Sequence, residues 1–250
     1  MGATGTVFWK EFRGFVNTPL AYIFISIFLA FLGVSYFAGT LSGGGFTGIQ
    51  MKEASLEAFF LKLPLAFVIL VPALAMKLWP DELKLGTIEL LMSYPVRPWQ
   101  VVVGKFLSGW LLIAIILLAT LVTPLTVQKY AVAEGGLDWG PVWGSYAAAL
   151  LLGAAFLSVG LFAGALCREQ VTAFIVSLFI CGGLVAIGQR EVMLQVGDTL
   201  GEVFRLISFQ TRFESMARGV IDIRDVVYFA SFTGLFLVLN VVVLECRKAK

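Results

Sequence analysis

Six long apolar stretches constrain the fold of this chain more than any other feature of its sequence. They occupy about residues 20–39, 63–78, 106–127, 144–166, 171–189 and 226–244. A helix needs about 20 predominantly apolar residues to cross the hydrocarbon core of a bilayer. The chain is 59% hydrophobic and 14% charged, whereas soluble domains average roughly 45–50% apolar and about 25% charged residues. The sequence therefore predicts an all-α integral membrane protein with six transmembrane helices.

The lysines and arginines favour an orientation with both termini in the cytoplasm. In that orientation ten of the 18 positive side chains lie inside and eight outside, and five of those eight fall in the segment 190–225. Without that segment the ratio is ten to three, and cytoplasmic loops carry the excess of lysine and arginine. We therefore expect a single multi-pass domain over residues 1–250 in the cytoplasmic (inner) membrane.

Two segments outside the spans have a pattern of their own. Phe8, Phe12 and Phe15 recur at helical spacing, which predicts an amphipathic helix within residues 1–19 that lies in the membrane interface. The segment 190–225 mixes apolar residues with five arginines and six acids. It is too apolar for a free loop, so we expect an outer loop with short helices that fold back against the bundle.

The residue types that are missing exclude several classes of function. The chain has no histidine, which removes haem ligation, histidine–zinc sites and every histidine-dependent triad. Cys167, Cys181 and Cys246 are too widely spaced for a metal motif or a disulfide framework. The apolar stretches contain no aspartate, glutamate, lysine or arginine except Lys77 at one edge, whereas ion-coupled transporters need such groups. We predict no catalytic, cofactor-binding or metal-binding residue, and the net charge of +2 gives no reason to expect nucleic acid as a partner.

Two glycine motifs imitate nucleotide-binding sequences. Gly43, Gly45 and Gly48 spell G-x-G-x-x-G, but a spanning helix precedes them and no βαβ pattern follows. Gly104 and Lys105 lack the upstream glycine of a P-loop and the serine or threonine that follows its lysine. Both motifs need those contexts to bind phosphates, so we expect no nucleotide site in this chain.

Gly160 and Gly164 form a G-x-x-x-G motif in the fourth apolar stretch. Small residues at this spacing let two membrane helices approach closely. The motif is compatible with packing inside the chain and with a contact between two copies.

The segment 79–105 is the largest cytoplasmic loop in the predicted topology. Asp81 and Glu82 begin a helical stretch, where carboxylates complement the helix dipole, and Pro95 and Pro98 are expected to end it and turn the chain back. One side of that helix carries apolar residues: Leu83, Ile88, Leu90 and Leu91. The pattern predicts a rigid amphipathic hairpin presented to the cytoplasm, and the alternative is a solvated connector.

The same segment resembles the signature of ABC-2 type transporter permeases. The matching residues are Glu82-x3-Gly86-Thr87-Ile88-Glu89-Leu90-Leu91, then Pro95-Val96 and Gly104-Lys105. The Asn17-Thr18-Pro19 segment and the run 213–222 resemble one branch of that family, which includes the gliding-motility permeases and the permease of the nitrous-oxide-reductase copper-maturation system. The resemblance covers essentially the whole chain.

This resemblance implies a half-transporter that is not itself an enzyme. By this resemblance it would have six spans, an interface helix, and a re-entrant helical hairpin between the fifth and sixth spans. Two permease subunits, either a homodimer or two related chains, would work with two ABC ATPase subunits that bind ATP and Mg²⁺. The loop 79–105 would hold the coupling helix that docks onto the ATPase.

The resemblance also assigns the coupling residues. They are Glu82, Gly86, Thr87, Glu89, Pro95, Gly104 and Lys105. Glu82 and Glu89 are expected to make polar contacts with the ATPase, Gly86 to allow a close backbone approach, and Lys105 to mark the cytoplasmic membrane boundary. The predicted function is ATP-driven export or movement of an unknown substrate. A non-transporting anchor or force-transmitting subunit is the alternative, while a membrane enzyme would need catalytic polar groups that the sequence does not offer.

Overall fold

The computed structural model describes residues 2–38, 56–87, 96–130, 137–189, 208–219 and 222–248. Eleven helices and no strands occur within these ranges, which confirms the all-α class for this part of the chain. The helices are α1 (Ala3–Val16), α2 (Pro19–Ala38), α3 (Glu57–Leu61), α4 (Leu63–Ala75), α5 (Pro80–Lys84), α6 (Pro98–Ala119), α7 (Val122–Tyr130), α8 (Trp139–Leu166), α9 (Gln170–Ala186), α10 (Phe209–Ala217) and α11 (Ile223–Lys248).

Four helical segments of the described chain are long and apolar enough to cross a membrane. They are Leu63–Lys84, Pro98–Lys129, Trp139–Leu166 and Ile223–Arg247. The bent pair formed by α1 and α2, with an angle of 68° between its halves, adds a fifth if the pair is one span. Helix α9 is apolar but has only 17 residues. The structure thus supports four to five spans, and the count of six stays a prediction.

Helix α8 is the centre of the bundle. It packs against α4, α6, α9, α10 and α11, and its small residues explain how so many helices reach it. A Cβ atom at Gly160 would overlap the Cβ of Ala75 on α4, and one at Gly153 would lie 2.9 Å from Ile113 on α6. A Cβ atom at Gly164 would make ordinary contacts, 3.5–3.7 Å from Pro80 and Trp79. The G-x-x-x-G motif therefore packs within the chain, the first of its two predicted roles.

Helix α1 covers the predicted amphipathic segment and packs along the first turns of α6. Phe15 is buried, and the rings of Phe8 and Phe12 stack with their centroids 6.1 Å apart. The three phenylalanines thus lie on one helix, while the position of that helix at a membrane interface stays a prediction.

The described part of the segment 190–225 contains one short helix, α10, that packs against α8. The Ser208 hydroxyl caps it by accepting a hydrogen bond from the Thr211 amide at 3.2 Å. Its last turn is held by the Ser145 hydroxyl, which donates to the Ala217 carbonyl at 3.0 Å. The re-entrant hairpin stays a prediction because residues 190–207 lie outside the described ranges.

Helix α6 differs most from its predicted bounds. The apolar stretch predicted a start near residue 106, and Pro98 was expected to turn the chain back. Instead Pro98 is the first residue of α6, a position where proline is favourable because its missing N–H has no helical partner there. The helix therefore includes Lys105, whose side chain is only 1% exposed. A hydropathy pattern places the end of a span at such a lysine. In the fold, the partners of Lys105 allow it to be buried inside the helix.

Candidate functional site

Four charged side chains meet at the end of the bundle where α1 lies. Lys10 and Glu11 come from α1, Glu82 from α5 and Lys105 from α6. We call this group the four-charge cluster. It joins residues up to 95 positions apart in the sequence and ties three helices together.

Lys105 is the centre of the four-charge cluster. Its Nζ atom donates to the carbonyl of Leu78 at 2.6 Å and to Glu11 Oε1 at 2.9 Å. It also lies 3.0 Å from Glu82 Oε2, an ion pair outside hydrogen-bond geometry. The ammonium group is 4.7 Å from the ring centroid of the fully buried Trp79, a favourable cation–π contact. Together these contacts replace the water that a buried ammonium loses.

Lys10 closes the cluster from the solvent side. Its Nζ atom donates to Glu82 Oε1 at 2.7 Å and lies 3.6 Å from Glu11 Oε1. Partial burial lowers the pKa of Lys10, but the carboxylates of Glu82 and Glu11 outweigh that effect and raise the pKa above its ordinary value. Lys10 is therefore charged at neutral pH, and two cations balance two anions across the cluster.

Burial makes the members of the cluster unequal. The Lys105 side chain is 1% exposed, those of Glu82 and Glu11 are 14% and 15% exposed, and that of Lys10 is 64% exposed. A buried charge that loses its partner costs several kcal/mol, about 3–5, whereas an exposed pair contributes about 0–1. Within this cluster, the contacts of Lys105 are therefore the ones whose loss should destabilise the fold most.

Gly104 explains how α1 comes close enough to supply Glu11. A Cβ atom at Gly104 would lie 3.0 Å from the Thr4 carbonyl oxygen and 3.0 Å from Val7 Cβ. Such contacts are tighter than side chains normally make, so glycine lets α1 lie directly on α6. The adjacent residues Gly104 and Lys105 therefore have different roles. Gly104 leaves space for α1 to pack against α6, and Lys105 forms an ion pair with Glu11 on α1.

The opposite side of α5 contacts the turn between α8 and α9. Gln170 Nε2 donates a hydrogen bond to Asp81 Oδ1, and Lys84 Nζ lies 3.8 Å from Glu169 Oε1 between two exposed side chains. Leu85, just after α5, is 76% exposed. Helix α5 is thus attached on two sides and presents an exposed apolar residue at its end.

The structure brings three of the seven predicted coupling residues together. Glu82 and Lys105 pair directly, and Gly104 makes room for their neighbour α1. Gly86 has a φ of +69°, and a Cβ atom added there would meet no atom of the described chain within 4 Å. The left-handed backbone at the end of α5 therefore explains why residue 86 is a glycine. The close approach of Gly86 to a partner stays a prediction.

The remaining coupling residues are less defined. The exposed Thr87 hydroxyl donates to the Glu82 carbonyl at 3.4 Å, a long hydrogen bond. Glu89 and Pro95 lie outside the described residues.

Sequence reasoning missed Lys10, Glu11 and Trp79. The sequence held a weak signal for these contacts. Lys10 and Glu11 are adjacent opposite charges on the amphipathic helix, and Lys105 is a single lysine at the start of an apolar stretch, so each of them is expected to need a partner. Nothing in the sequence pairs them, since 94 positions separate Glu11 from Lys105.

A cavity of about 260 Å³ lies between α2 and α4, away from the four-charge cluster. Its lining is entirely apolar: Phe24, Ile27, Phe28, Phe31, Leu65, Ala66, Ile69 and Leu70. It therefore offers no polar group to a charged ligand. Within the described ranges, no group of three acidic, cysteine or histidine side chains is placed to hold a metal ion.

Comparison with protein families places these features in a known context. The family model described as ABC-2 family transporter protein matches residues 5–189, which include most of α1, all of α5 and α6, and the whole four-charge cluster. No curated protein matches the chain. Together with its apolar helices, the match makes this a multi-pass membrane protein of transporter type. The chain belongs to the ABC-2 family of transporter proteins.

Proposed function

We propose that this chain is the permease subunit of an ABC transporter and that α5 and the residues after it couple it to a separate ATPase subunit. ATP and Mg²⁺ would bind to that subunit, and a second permease subunit would complete the pathway. Both termini and the four-charge cluster would then face the cytoplasm, in agreement with the distribution of lysine and arginine. The assignment to the gliding-motility and copper-maturation branch rests on sequence resemblance alone.

The attachment of α5 to the bundle is the observation that carries this proposal. A solvated connector would have exposed charges with few fixed partners. Instead Glu82 is paired with Lys105 on α6 and Lys10 on α1, and the preceding Trp79 is fully buried. A displacement of α5 by a motor protein would therefore reach α1 and α6 directly.

The docking surface would be the side of this segment that the bundle leaves exposed. Leu85 is 76% exposed, and Thr87 is exposed beside it. The predicted polar contact of Glu82 with the ATPase would require its carboxylate to leave Lys10, so we assign Glu82 to positioning α5. Leu85 and Glu89 are the residues that we propose to contact the ATPase.

Co-purification of the chain with a co-expressed ATPase subunit tests the proposal. Leu85→Asp and Glu89→Lys should weaken the complex. Removal of one partner from a desolvated charge pair costs about 2–5 kcal/mol, or more than tenfold in affinity, and Leu85→Asp puts a charge in place of an apolar contact. Both variants should insert and melt like the parent protein. Glu134→Lys, a matched charge reversal on the predicted outer side, should leave the complex intact.

Two results would reject this assignment. Equal losses from Glu89→Lys and Glu134→Lys would indicate general instability, and full binding by Leu85→Asp and Glu89→Lys would make the segment a connector. A complex that binds and hydrolyses ATP in vesicles without moving any substrate would instead favour the anchor or force-transmitting alternative.

A further inference from the structure

The turn between α8 and α9 is a second point at which α5 meets the bundle. Gln170, the first residue of α9, donates its side-chain amide to Asp81 on α5. On the other side of the same turn, Arg247 near the end of α11 donates to the carbonyl of Leu166 at 3.2 Å. Residues 167–169 therefore lie where α5, α8, α9 and α11 converge.

We infer that Asp81 and Gln170 are positioning residues that transmit movement of α5 to the turn 167–169 and so to α8 and α9. This inference rests on the proposed function, because it needs a motor that displaces α5. It adds a second route to the one through the four-charge cluster, which leads to α1 and α6.

The two attachments of α5 differ in the chemistry that holds them. The four-charge cluster surrounds a lysine that is 1% exposed, and opening it would leave buried charges without partners. The Asp81–Gln170 contact is one hydrogen bond between a carboxylate and a neutral amide, and both residues are only half-buried. Water can replace the partners of half-buried groups when they separate. The cluster is therefore the stronger attachment, and the Asp81–Gln170 bond is the one that a change in the position of α5 can remake at lower cost.

Cys167 provides a native reporter inside the turn. It is partly exposed, whereas Cys181 is buried, and the exposed Cys246 can be changed to serine. In a Cys246→Ser permease bound to its ATPase in nanodiscs, the rate of Cys167 labelling by a maleimide would be measured without nucleotide and after trapping with ATP and vanadate. We expect the two labelling rates to differ by about fivefold or more, comparable with the low end of the usual range of coupling between two sites.

Exchange of donor and acceptor separates positioning from a general structural role. Gln170→Glu places a second carboxylate against Asp81 and should reduce the difference in labelling rate to less than about twofold. Addition of Asp81→Asn lets the new amide at position 81 donate to the new carboxylate at position 170, and should restore the difference. Should Gln170→Glu fail to fold, Gln170→Ala removes the donor without adding a charge and should lose the difference too.

The outcomes distinguish this inference from the proposed function. A rate difference that persists in the folded Gln170 variants, or that the exchanged pair fails to restore, overturns the inference. So does a reference complex that hydrolyses ATP with no change at Cys167, although the permease assignment would then survive. Failure of the chain to bind any ATPase subunit overturns both.

Discussion

Replacement of Lys105 by methionine isolates the buried charge of the four-charge cluster. Methionine keeps an unbranched apolar side chain of similar length against Trp79, so the change removes the ammonium with little loss of volume. The Leu78 carbonyl and the carboxylates of Glu11 and Glu82 then lose their shared donor. Within the cluster, Lys10 alone would remain to separate the two carboxylates.

The magnitude follows from burial. Removal of one partner from a buried ion pair costs about 3–5 kcal/mol, and we expect about 3 kcal/mol here because Glu11 and Glu82 keep 15% and 14% of their exposure. Lys10→Met is the matched control in the same cluster. Lys10 is 64% exposed, so its loss should cost about 0–1 kcal/mol.

Thermal unfolding in detergent measures the difference. In a chain of this size 1 kcal/mol shifts the melting temperature by roughly 2–4 °C, so Lys105→Met should lower it by roughly 6–12 °C and Lys10→Met by less than about 4 °C. A cycle that combines Lys105→Met with Glu82→Gln should give an interaction energy of at least about 1 kcal/mol. Equal effects of the two lysine variants would refute the argument, because they would show that burial does not set the energy of this cluster.

Three further predictions concern the glycines and the energy source. Gly160→Ala should destabilise the chain by about 1–3 kcal/mol in the same melts, because its methyl overlaps Ala75. Gly183→Ala should not destabilise it, because a Cβ atom at position 183 would meet no atom of the described residues within 4 Å. Gly86→Ala should cost about 1–2 kcal/mol because its φ of +69° is unfavourable for alanine; a neutral result would mean that the end of α5 rearranges. The purified chain alone should hydrolyse no ATP, since its sequence has no P-loop, and hydrolysis by a preparation free of contaminating ATPases would contradict this.

The sequence predicted the helical class and most helix positions because apolar length and the phenylalanine spacing of α1 are local properties. It could not predict that α6 begins at Pro98, because the hydropathy of Lys105 argues against burial unless Glu11 and Glu82 are known to be near. It also left two roles open for Gly160, since small residues serve any close helix contact. Only the position of α4 shows that Ala75 fills that space.

The way in which Lys105 is buried bears on how α1 works in this protein. An amphipathic helix that merely rests in a membrane interface needs no specific contact with the bundle. Helix α1 instead supplies a carboxylate to the buried Lys105. It also lies so close to Gly104 that a side chain at that position would crowd against it. Because Lys10 on α1 also donates to Glu82 on α5, departure of α1 from α6 would remove one of the two cations that hold α5. Displacement of α5 should therefore be coupled to displacement of α1 through the four-charge cluster, and we include the N-terminal helix in the transmission path that we propose.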